Sequence, residues 1–279
     1  MAQRAVLVTG ASTGIGRATA LLLDERGFTV FAGVRRDVDA QSLRDEASDR
    51  LVPLILDVTK AVDVAAAANA IEAAGIPLVG LVNNAGVAAA APLEFVAVAD
   101  FRHQLEVNVV GQLAVTQAVL PLLRAAKGRI ANVTSIGGLI AGQMLGPYHA
   151  SKFAFEAMTH TLRQELAPWG IEVIAIEPGQ IATPIWATSA ATAARMQESM
   201  PPEMLELYGA RAEGAREMAR NAAKNGLPAI EVAKVIVKAL TVGHPRTRYP
   251  VGTDAKIGAA VVARLPDRLR DRLLNGRTK

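Results

Sequence analysis

The sequence predicts an α/β fold in which helices flank a doubly wound, parallel sheet. Short β-branched, apolar runs alternate with longer stretches of helical periodicity along most of the chain. Several of these runs are apolar at every position, which is typical of strands covered by helices on both faces. Right-handed βαβ crossovers then place the carboxyl ends of the strands along one edge, where ligands bind in such sheets. The pattern therefore indicates a Rossmann-type architecture.

The elements follow one another in regular order. Strands are predicted at 5–8, 29–34, 52–56, 78–82, 129–133 and 172–176, and helices near 15–26, 60–74, 100–126 and 149–167. No linker precedes residue 180, so we expect one domain over 1–279 with its core in 4–183. Segment 184–226 holds four of the seven methionines, with Trp186 and Tyr208, and is predicted to be a helical lid. A helix at 229–241 and a last strand at 248–251 precede a basic tail at 264–279.

The charge distribution excludes several classes of protein. The net charge of +4 comes entirely from 264–279, where six basic and two acidic side chains stand; the remaining residues are balanced. This argues against a nucleic-acid partner. In the tail, Leu265, Leu269 and Leu273 alternate with arginines, which leaves peripheral membrane contact, a partner helix and a solvated terminus as alternatives. The apolar stretch 105–123 contains Glu106 and Gln112, so no membrane span is expected.

The cysteine and histidine content excludes several kinds of catalytic and metal site. The chain has no cysteine, which excludes disulfides, thiolate zinc sites and a cysteine nucleophile. Its four histidines lack metal-ligand spacing with neighbouring carboxylates, so no metal site is predicted. A chain without cysteine suits a reducing compartment, and we expect a cytoplasmic protein.

A glycine-rich turn, Thr9-Gly10-Ala-Ser-Thr-Gly14-Ile-Gly16, follows the first predicted strand and opens a helix. Gly10 permits a tight turn, Gly14 lets the backbone approach a pyrophosphate, and Gly16 allows close packing. The start of the helix offers unpaired N–H groups and partial positive charge. The turn therefore predicts phosphate binding, the alternative being an ordinary glycine-rich βα loop.

Four further motifs follow in order with the glycine turn: Asn83-Asn84-Ala85-Gly86 after the fourth strand, Ser135 after the fifth, Tyr148-His-Ala-Ser-Lys152 opening a helix, and Pro178-Gly179-Gln-Ile-Ala-Thr183 after the sixth. Together these resemble the short-chain dehydrogenase/reductase family over at least residues 4–183. The resemblance implies a nicotinamide cofactor held by Gly10, Ser12, Thr13, Gly14, Ile15, Gly16, Arg35, Asp57, Val58, Asn84, Ala85, Gly86, Tyr148, Lys152, Pro178, Gly179, Ile181 and Thr183.

The resemblance also implies a catalytic set of Asn108, Ser135, Tyr148 and Lys152. Tyr148 and Lys152 are four residues apart and so share a helix face, where an ammonium near the phenol should lower its pKa. Ser135 would bind the substrate oxygen, or merely cap the strand end. Asn108 matches a helix asparagine that holds a water beside the lysine, unless it is purely structural. His149 should point about 100° away from Tyr148 around the helix, so no role is predicted for it.

The end of the second strand favours NADP(H) over NAD(H). Arg35 is the first residue after the strand, and an arginine there suits the 2′-phosphate of NADP. In NAD-dependent proteins an acid at the end of this strand binds the ribose, but Asp37 lies two positions beyond that place. A second NADP signal, a basic residue before the second glycine, is absent because Thr13 occupies that place.

The lid and 248–255 resemble the hydroxysteroid and retinol dehydrogenase branch. The resemblance implies hydride transfer with a secondary alcohol or ketone on a bulky apolar skeleton, such as a steroid or retinoid. Ser135, Tyr148 and Trp186 would contact this substrate, and the lid methionines would line its pocket or pack the lid onto the body. The alternative function is a non-enzymatic, cofactor-sensing regulator or scaffold on the same fold. The family also implies a homodimer or homotetramer built partly on helices 100–126 and 149–167.

Overall fold

A computed structural model describes residues 3–275 and contains a seven-stranded parallel sheet. The strands are β1 (Ala5–Val8), β2 (Thr29–Val34), β3 (Leu51–Ile55), β4 (Leu78–Asn83), β5 (Arg129–Val133), β6 (Glu172–Pro178), β7 (Ile181–Ala182), β8 (Leu227–Pro228) and β9 (Arg248–Val251). The sheet order is β3-β2-β1-β4-β5-β6-β9, and β7 pairs with β8 separately. The predicted doubly wound α/β architecture is therefore confirmed.

Helices cover both faces of the sheet. They are α1 (Gly14–Glu25), α2 (Asp37–Arg44), α3 (Ala61–Ala73), α4 (Val98–Leu105), α5 (Gly111–Ala126), α6 (Gly146–Leu166), α7 (Ile185–Glu198), α8 (Glu203–Asn225), α9 (Ala229–Thr241), α10 (Thr253–Ala260) and α11 (Asp267–Asn275). One apolar core lies between the sheet and α1 and α9, around Leu23 and Ile236. The other lies beneath α3, α5 and α6, around Ile71 and Val119. Every residue of β1 and β2 is buried, as their apolar sequences require.

From β1 the chain first adds β2 and β3 on one side of the sheet and then β4, β5 and β6 on the other. This switch in direction positions the site. Val8 pairs with Ala32 on one side and with Val82 on the other. The chain segments that follow β1 and β4 consequently leave the same edge of the sheet side by side. In a doubly wound sheet a ligand binds at this point.

The predicted helix at 100–126 is interrupted. A π-helical segment, Glu106–Val110, joins α4 to α5. Among the described residues, only the stretch Val98–Ala126 is long and apolar enough to span a membrane by length and composition. Its Asn108 and Gln112 are buried and hydrogen-bond the chain after β4, as in a helix packed on a sheet.

The lid consists of α7 and α8, which leave and rejoin the body at the β7–β8 pair, where Ile181 pairs with Leu227. Met196 and Met204 are buried, and Met196 packs with Ala89 and Ala91 in a small core. The hydroxyl of Tyr208 donates to Glu94, at 2.7 Å. The segment is helical as predicted, and its role as a lid stays a prediction. These two methionines pack the segment onto the body, which was the alternative to lining the pocket.

The predicted basic tail contains α11. Leu269 and Leu273 are half exposed there, whereas Leu274 borders the main cavity. Arg277 and Lys279 lie outside the described residues.

A buried ionic cluster joins α6, β6 and β9. Glu156 and Glu177 are 4% and 0% exposed, and Arg248 is the cation between them. Arg248 Nη2 lies 3.0 Å from Glu156 Oε2, and Nη1 contacts Glu177. His160 contacts both Arg248 and Glu156. Two carboxylates away from water therefore share the charge of one guanidinium, and Glu156 also interacts with the charge of Lys152.

Candidate active site

A cavity of about 1160 Å³ runs along the carboxyl ends of the strands and beneath the lid. Its volume exceeds the roughly 300–1,000 Å³ of pockets for drug-sized ligands, so it has room for a larger molecule or for two. Of the predicted site residues, those that line it are Gly10, Ser12, Thr13, Gly14, Ile15, Arg35, Asp57, Val58, Asn84, Ala85, Gly86, Ser135, Tyr148, Lys152, Pro178, Gly179, Ile181, Thr183 and Trp186. Gly16 and Asn108 stand behind this wall.

The glycine turn presents backbone to the cavity. Gly10 and Gly14 have φ of +65° and +57°, a region that favours glycine. A Cβ on Gly10 would lie 2.7 Å from the Cα of Ala85, because the turn presses against the chain after β4. Thr13, at the start of α1, makes no side-chain capping bond, so the first N–H groups of the helix have no cap. The exposed backbone and uncapped helix start fit the phosphates of a dinucleotide.

Two polar residues that the sequence reasoning missed hold the turn and the Asn84-Ala85-Gly86 segment together. Thr9 Oγ1 accepts hydrogen bonds from the N–H groups of Asn84 and Ala85, each at 2.9 Å. Asn84 Nδ2 donates to the carbonyl oxygens of Thr9 (2.9 Å) and Gly10 (3.1 Å). Gln112 Nε2 reaches Ala85 O from α5 at 2.7 Å. The position of Thr9, directly before Gly10, was the available signal for its role.

Gly16 provides a testable packing constraint. A Cβ on Gly16 would overlap the carbonyl oxygen of Gly10 and Nδ2 of Asn84. We expect Gly16→Ala to cost about 1–3 kcal/mol of unfolding free energy and to weaken dinucleotide binding about tenfold, because the turn must shift. Thermal unfolding and titration of reduced-cofactor fluorescence measure both effects.

Gly209→Ala is the matched control for this substitution. No atom lies within 4 Å of the Cβ position on Gly209, which sits inside α8. Alanine should therefore be neutral or stabilising there by about 0.5–1 kcal/mol. Equal cofactor affinity in Gly16→Ala and the native chain would contradict the packing argument.

The far end of the cavity contains Arg35 and Asp57. Arg35 is exposed at the end of β2 and lines the cavity, whereas Arg36 is held away by two hydrogen bonds to Asp39, at 2.8 and 2.7 Å. Burial acts to raise the pKa of Asp57, but hydrogen bonds from Thr59 and the charges of Arg35 and Lys60 outweigh it and lower that pKa. Asp57 is therefore ionised at neutral pH. Asp37 begins α2 and is not among the lining residues.

Ser135 and Tyr148 meet at the centre of the cavity. Ser135 precedes a 3₁₀ turn, Ile136–Gly138, and its Oγ accepts from the N–H of Gly137 at 3.0 Å. It therefore caps the strand end and also hydrogen-bonds Tyr148. Burial raises the pKa of Tyr148, and the bond to Ser135 only partly opposes this. The phenol consequently carries its proton at neutral pH.

Lys152 departs from the sequence expectation. It is buried, and its Nζ donates to the carbonyl of Val133 at 3.0 Å rather than to the phenol. The ammonium lies 5.8 Å from the centroid of the Tyr148 ring. Burial lowers the pKa of Lys152 to about 8, although the charge of Glu156 opposes this. The expected lowering of the Tyr148 pKa is therefore wrong for this arrangement, because desolvation dominates and the lysine bonds a strand carbonyl.

Asn108 connects the π-helical segment, in which it lies, to the chain after β4 and to α6. Its Oδ1 accepts from the N–H of Val87 at 2.8 Å, and its Nδ2 donates to Val87 O and to Ser151 Oγ, each at 2.9 Å. Ser151 Oγ in turn donates to the carbonyl of Tyr148, at 2.7 Å. The side chain thereby positions the start of α6, and the predicted water beside Lys152 stays a prediction.

His149 also lines the cavity, with its ring centroid 5.9 Å from that of Tyr148. The expected separation of about 100° around the helix therefore does not keep this ring away from the site. His103, on α4, lines the cavity as well.

Apolar side chains form part of the lid end of the cavity, beside the polar side chains Arg211, Glu217 and Asn221. Trp186 Nε1 donates to the carbonyl of Ile181 at 2.7 Å, which fixes the indole in the wall. Met218, Ile257 and Leu274 line the same region. Beneath it, Asp254 Oδ2 accepts from the N–H of Gln180 at 2.7 Å and supports the segment after β6. Within residues 3–275, no three His, Asp or Glu side chains are grouped so as to hold a metal ion.

Comparisons with known proteins agree with this geometry. Residues 4–194 match the family model described as short chain dehydrogenase. Retinol dehydrogenase 5 of Mus musculus is 37% identical over 277 residues, covering 96% of this chain and 87% of that protein. The 17-beta-hydroxysteroid dehydrogenase type 6 of Bos taurus is 38% identical over 280 residues, with the same coverage.

A solved structure is similar along nearly the whole chain. The short chain dehydrogenase from Burkholderia cenocepacia in complex with NADP has a TM-score of 0.73 and 29% identity, covering 99% of this chain and 97% of its own. The family match spans most of the residues that line the cavity. This chain belongs to the short chain dehydrogenase family of oxidoreductases.

Proposed function

We propose that the protein transfers a hydride between a nicotinamide cofactor, NADP(H) in preference to NAD(H), and a secondary alcohol or ketone on a bulky apolar skeleton. The observation that carries this proposal is the continuity of one cavity from the glycine turn to Ser135, Tyr148 and Lys152. A dinucleotide lying along the turn would bring its reactive end to the phenol. The NADP in the Burkholderia cenocepacia relative supports the choice of cofactor class.

The side chains have separate tasks in this reaction. A bound nicotinamide supplies or accepts the hydride. Ser135 Oγ hydrogen-bonds the substrate oxygen and fixes it beside Tyr148, whose phenol gives its proton to the developing alkoxide. Because burial raises the pKa of Tyr148, the free enzyme is poised as the acid for carbonyl reduction. Lys152 places positive charge near the phenolate that remains, which favours that product of the proton transfer.

Preference for NADP(H) rests on Arg35, whose exposed side chain lines the cavity and can pair with a phosphate. We expect Arg35→Gln to weaken NADPH binding about 10- to 100-fold, since a charge-assisted hydrogen bond contributes about 1.5–3 kcal/mol. NADH binding should stay unchanged. Arg36→Gln is the control, because Arg36 pairs with Asp39. Equal affinity of the native chain for the two cofactors would contradict the role of Arg35.

The apolar side chains at the lid end of the cavity support a bulky, lipid-like substrate. Trp186, Met218, Ile257 and Leu274 offer it a wall of indole, thioether and aliphatic groups. The relatives named for retinol and a hydroxysteroid point to the same class. A screen of ketones and alcohols from small sugars to steroids and retinoids, with NADPH and NADH in parallel, tests the proposal through cofactor absorbance. Cofactor binding without turnover of any member would favour the regulatory alternative.

We also propose that the chain forms a homodimer or homotetramer through α5 and α6. Phe153, on α6, is 44% exposed, and Val110, the last residue of the π-helical segment before α5, is 48% exposed. Apolar side chains exposed on adjacent helices are typical of subunit contacts. Sedimentation should give two or four times the monomer mass of 29.3 kDa, and Phe153→Lys should shift it towards the monomer. A monomeric native chain would overturn this assignment.

A further inference from the structure

His149 stands in the cavity wall with one ring nitrogen already engaged. Its Nδ1 lies 2.9 Å from the carbonyl oxygen of Gly137. A carbonyl oxygen only accepts hydrogen bonds, so Nδ1 must carry the proton. Burial lowers the pKa of His149, and the bond to Gly137 only partly opposes this. The ring is therefore neutral at pH 7, and Nε2 is an acceptor with a free lone pair.

The surroundings of Nε2 leave that lone pair available to a ligand. No residue in 3–275 is hydrogen-bonded to Nε2. The neighbouring wall residue is Gly142, and even a Cβ built there would remain 3.9 Å from Nε2. The ring centroid is 5.9 Å from that of Tyr148, and both rings line the same cavity. A substrate bound at Tyr148 would pass beside it.

We propose that His149 determines specificity by accepting a hydrogen bond from a hydroxyl of the substrate bound beside Tyr148. This rests on the proposed function, and it adds a polar feature to the proposed apolar substrate. An acceptor that loses its water and finds no donor is costly to bury. The site should therefore select hydroxylated ketones over analogues that lack the hydroxyl.

A matched series of small ketones tests the proposal kinetically. We expect 4-hydroxycyclohexanone to have a kcat/KM about 10- to 100-fold above that of 4-methoxycyclohexanone, which has no donor. His149→Phe should abolish this ratio, whereas His149→Gln, which keeps an acceptor, should restore part of it. His244→Phe, far along the chain from the site, is the control. An unchanged ratio in His149→Phe would overturn the proposal.

A second measurement does not depend on turnover. Ring ¹⁵N spectra of a chain with four histidines can be assigned by comparison with His149→Phe. At pH 7 we expect Nδ1 of His149 protonated and Nε2 bare, with the Nε2 signal shifting on addition of 4-hydroxycyclohexanone and not of its methyl ether. A protonated Nε2, or no response to the hydroxylated ketone, would refute the role of His149. A response without turnover of any ketone would instead count against the proposed function alone.

Discussion

Tyr148→Phe should lower kcat/KM for carbonyl reduction about 10³-fold, the range over which a positioned general acid contributes. The substitution removes the hydroxyl that bonds Ser135 and keeps the ring that lines the cavity. Cofactor affinity should stay within about twofold, since the ring still packs in the wall. Steady-state rates with the best ketone of the screen, together with reduced-cofactor fluorescence, separate the two effects.

Tyr249→Phe serves as the control for this loss. Its hydroxyl accepts from the N–H of Arg246 at 3.0 Å, at the amino-terminal end of β9 and away from the cavity lining. Removing that hydroxyl should leave the rate unchanged. Reduction at the native rate by Tyr148→Phe would show that the proton comes from another donor, and the mechanism would have to be abandoned.

Arg248→Met should lower the free energy of unfolding by about 3–5 kcal/mol, because removing one partner leaves buried charge unpaired. Arg248 is the guanidinium between Glu156 and Glu177, and both carboxylates are almost inaccessible to water. Urea unfolding at pH 8 measures the size of the loss.

An exposed ion pair provides the comparison for Arg248→Met. Arg220 lies 2.7 Å from Glu213 on α8, with the two side chains 64% and 55% exposed. Arg220→Met should change stability by less than about 1 kcal/mol, as expected for a solvent-screened pair. If Arg248→Met were equally mild at pH 8, the cluster would not depend on its arginine.

Much of the fold could be predicted because apolar periodicity is a local property of the chain. The strands at 5–8, 29–34, 129–133 and 248–251 agree with the structure to the residue, and the strand predicted at 52–56 is displaced by one. The lid followed from a change in composition. Helix α2 escaped prediction because it has only eight residues, of which Ala40 and Leu43 are buried.

The site was predictable to the extent that its residues belong to contiguous motifs. The glycine turn, Ser135 and Tyr148 all lie on one cavity. The structure was needed for contacts between distant parts of the chain, such as the bonds of Thr9 to Asn84. The place of His149 on the cavity also needed the structure, because helical geometry gives the angle between neighbouring side chains but not which of them line a cavity. The bond of Lys152 to Val133 likewise depends on how α6 packs against β5.

The β7–β8 pair has a consequence for how this chain can change. Because Ile181 and Leu227 are bonded neighbours, everything between them departs from and returns to nearly one point of the body. A segment with adjoining ends can be exchanged for one of another length with little loop-closure cost and without displacing the sheet. Replacing the helical segment between these two strands with another is thus a route by which evolution, or an engineer, could direct the same reaction to a different substrate.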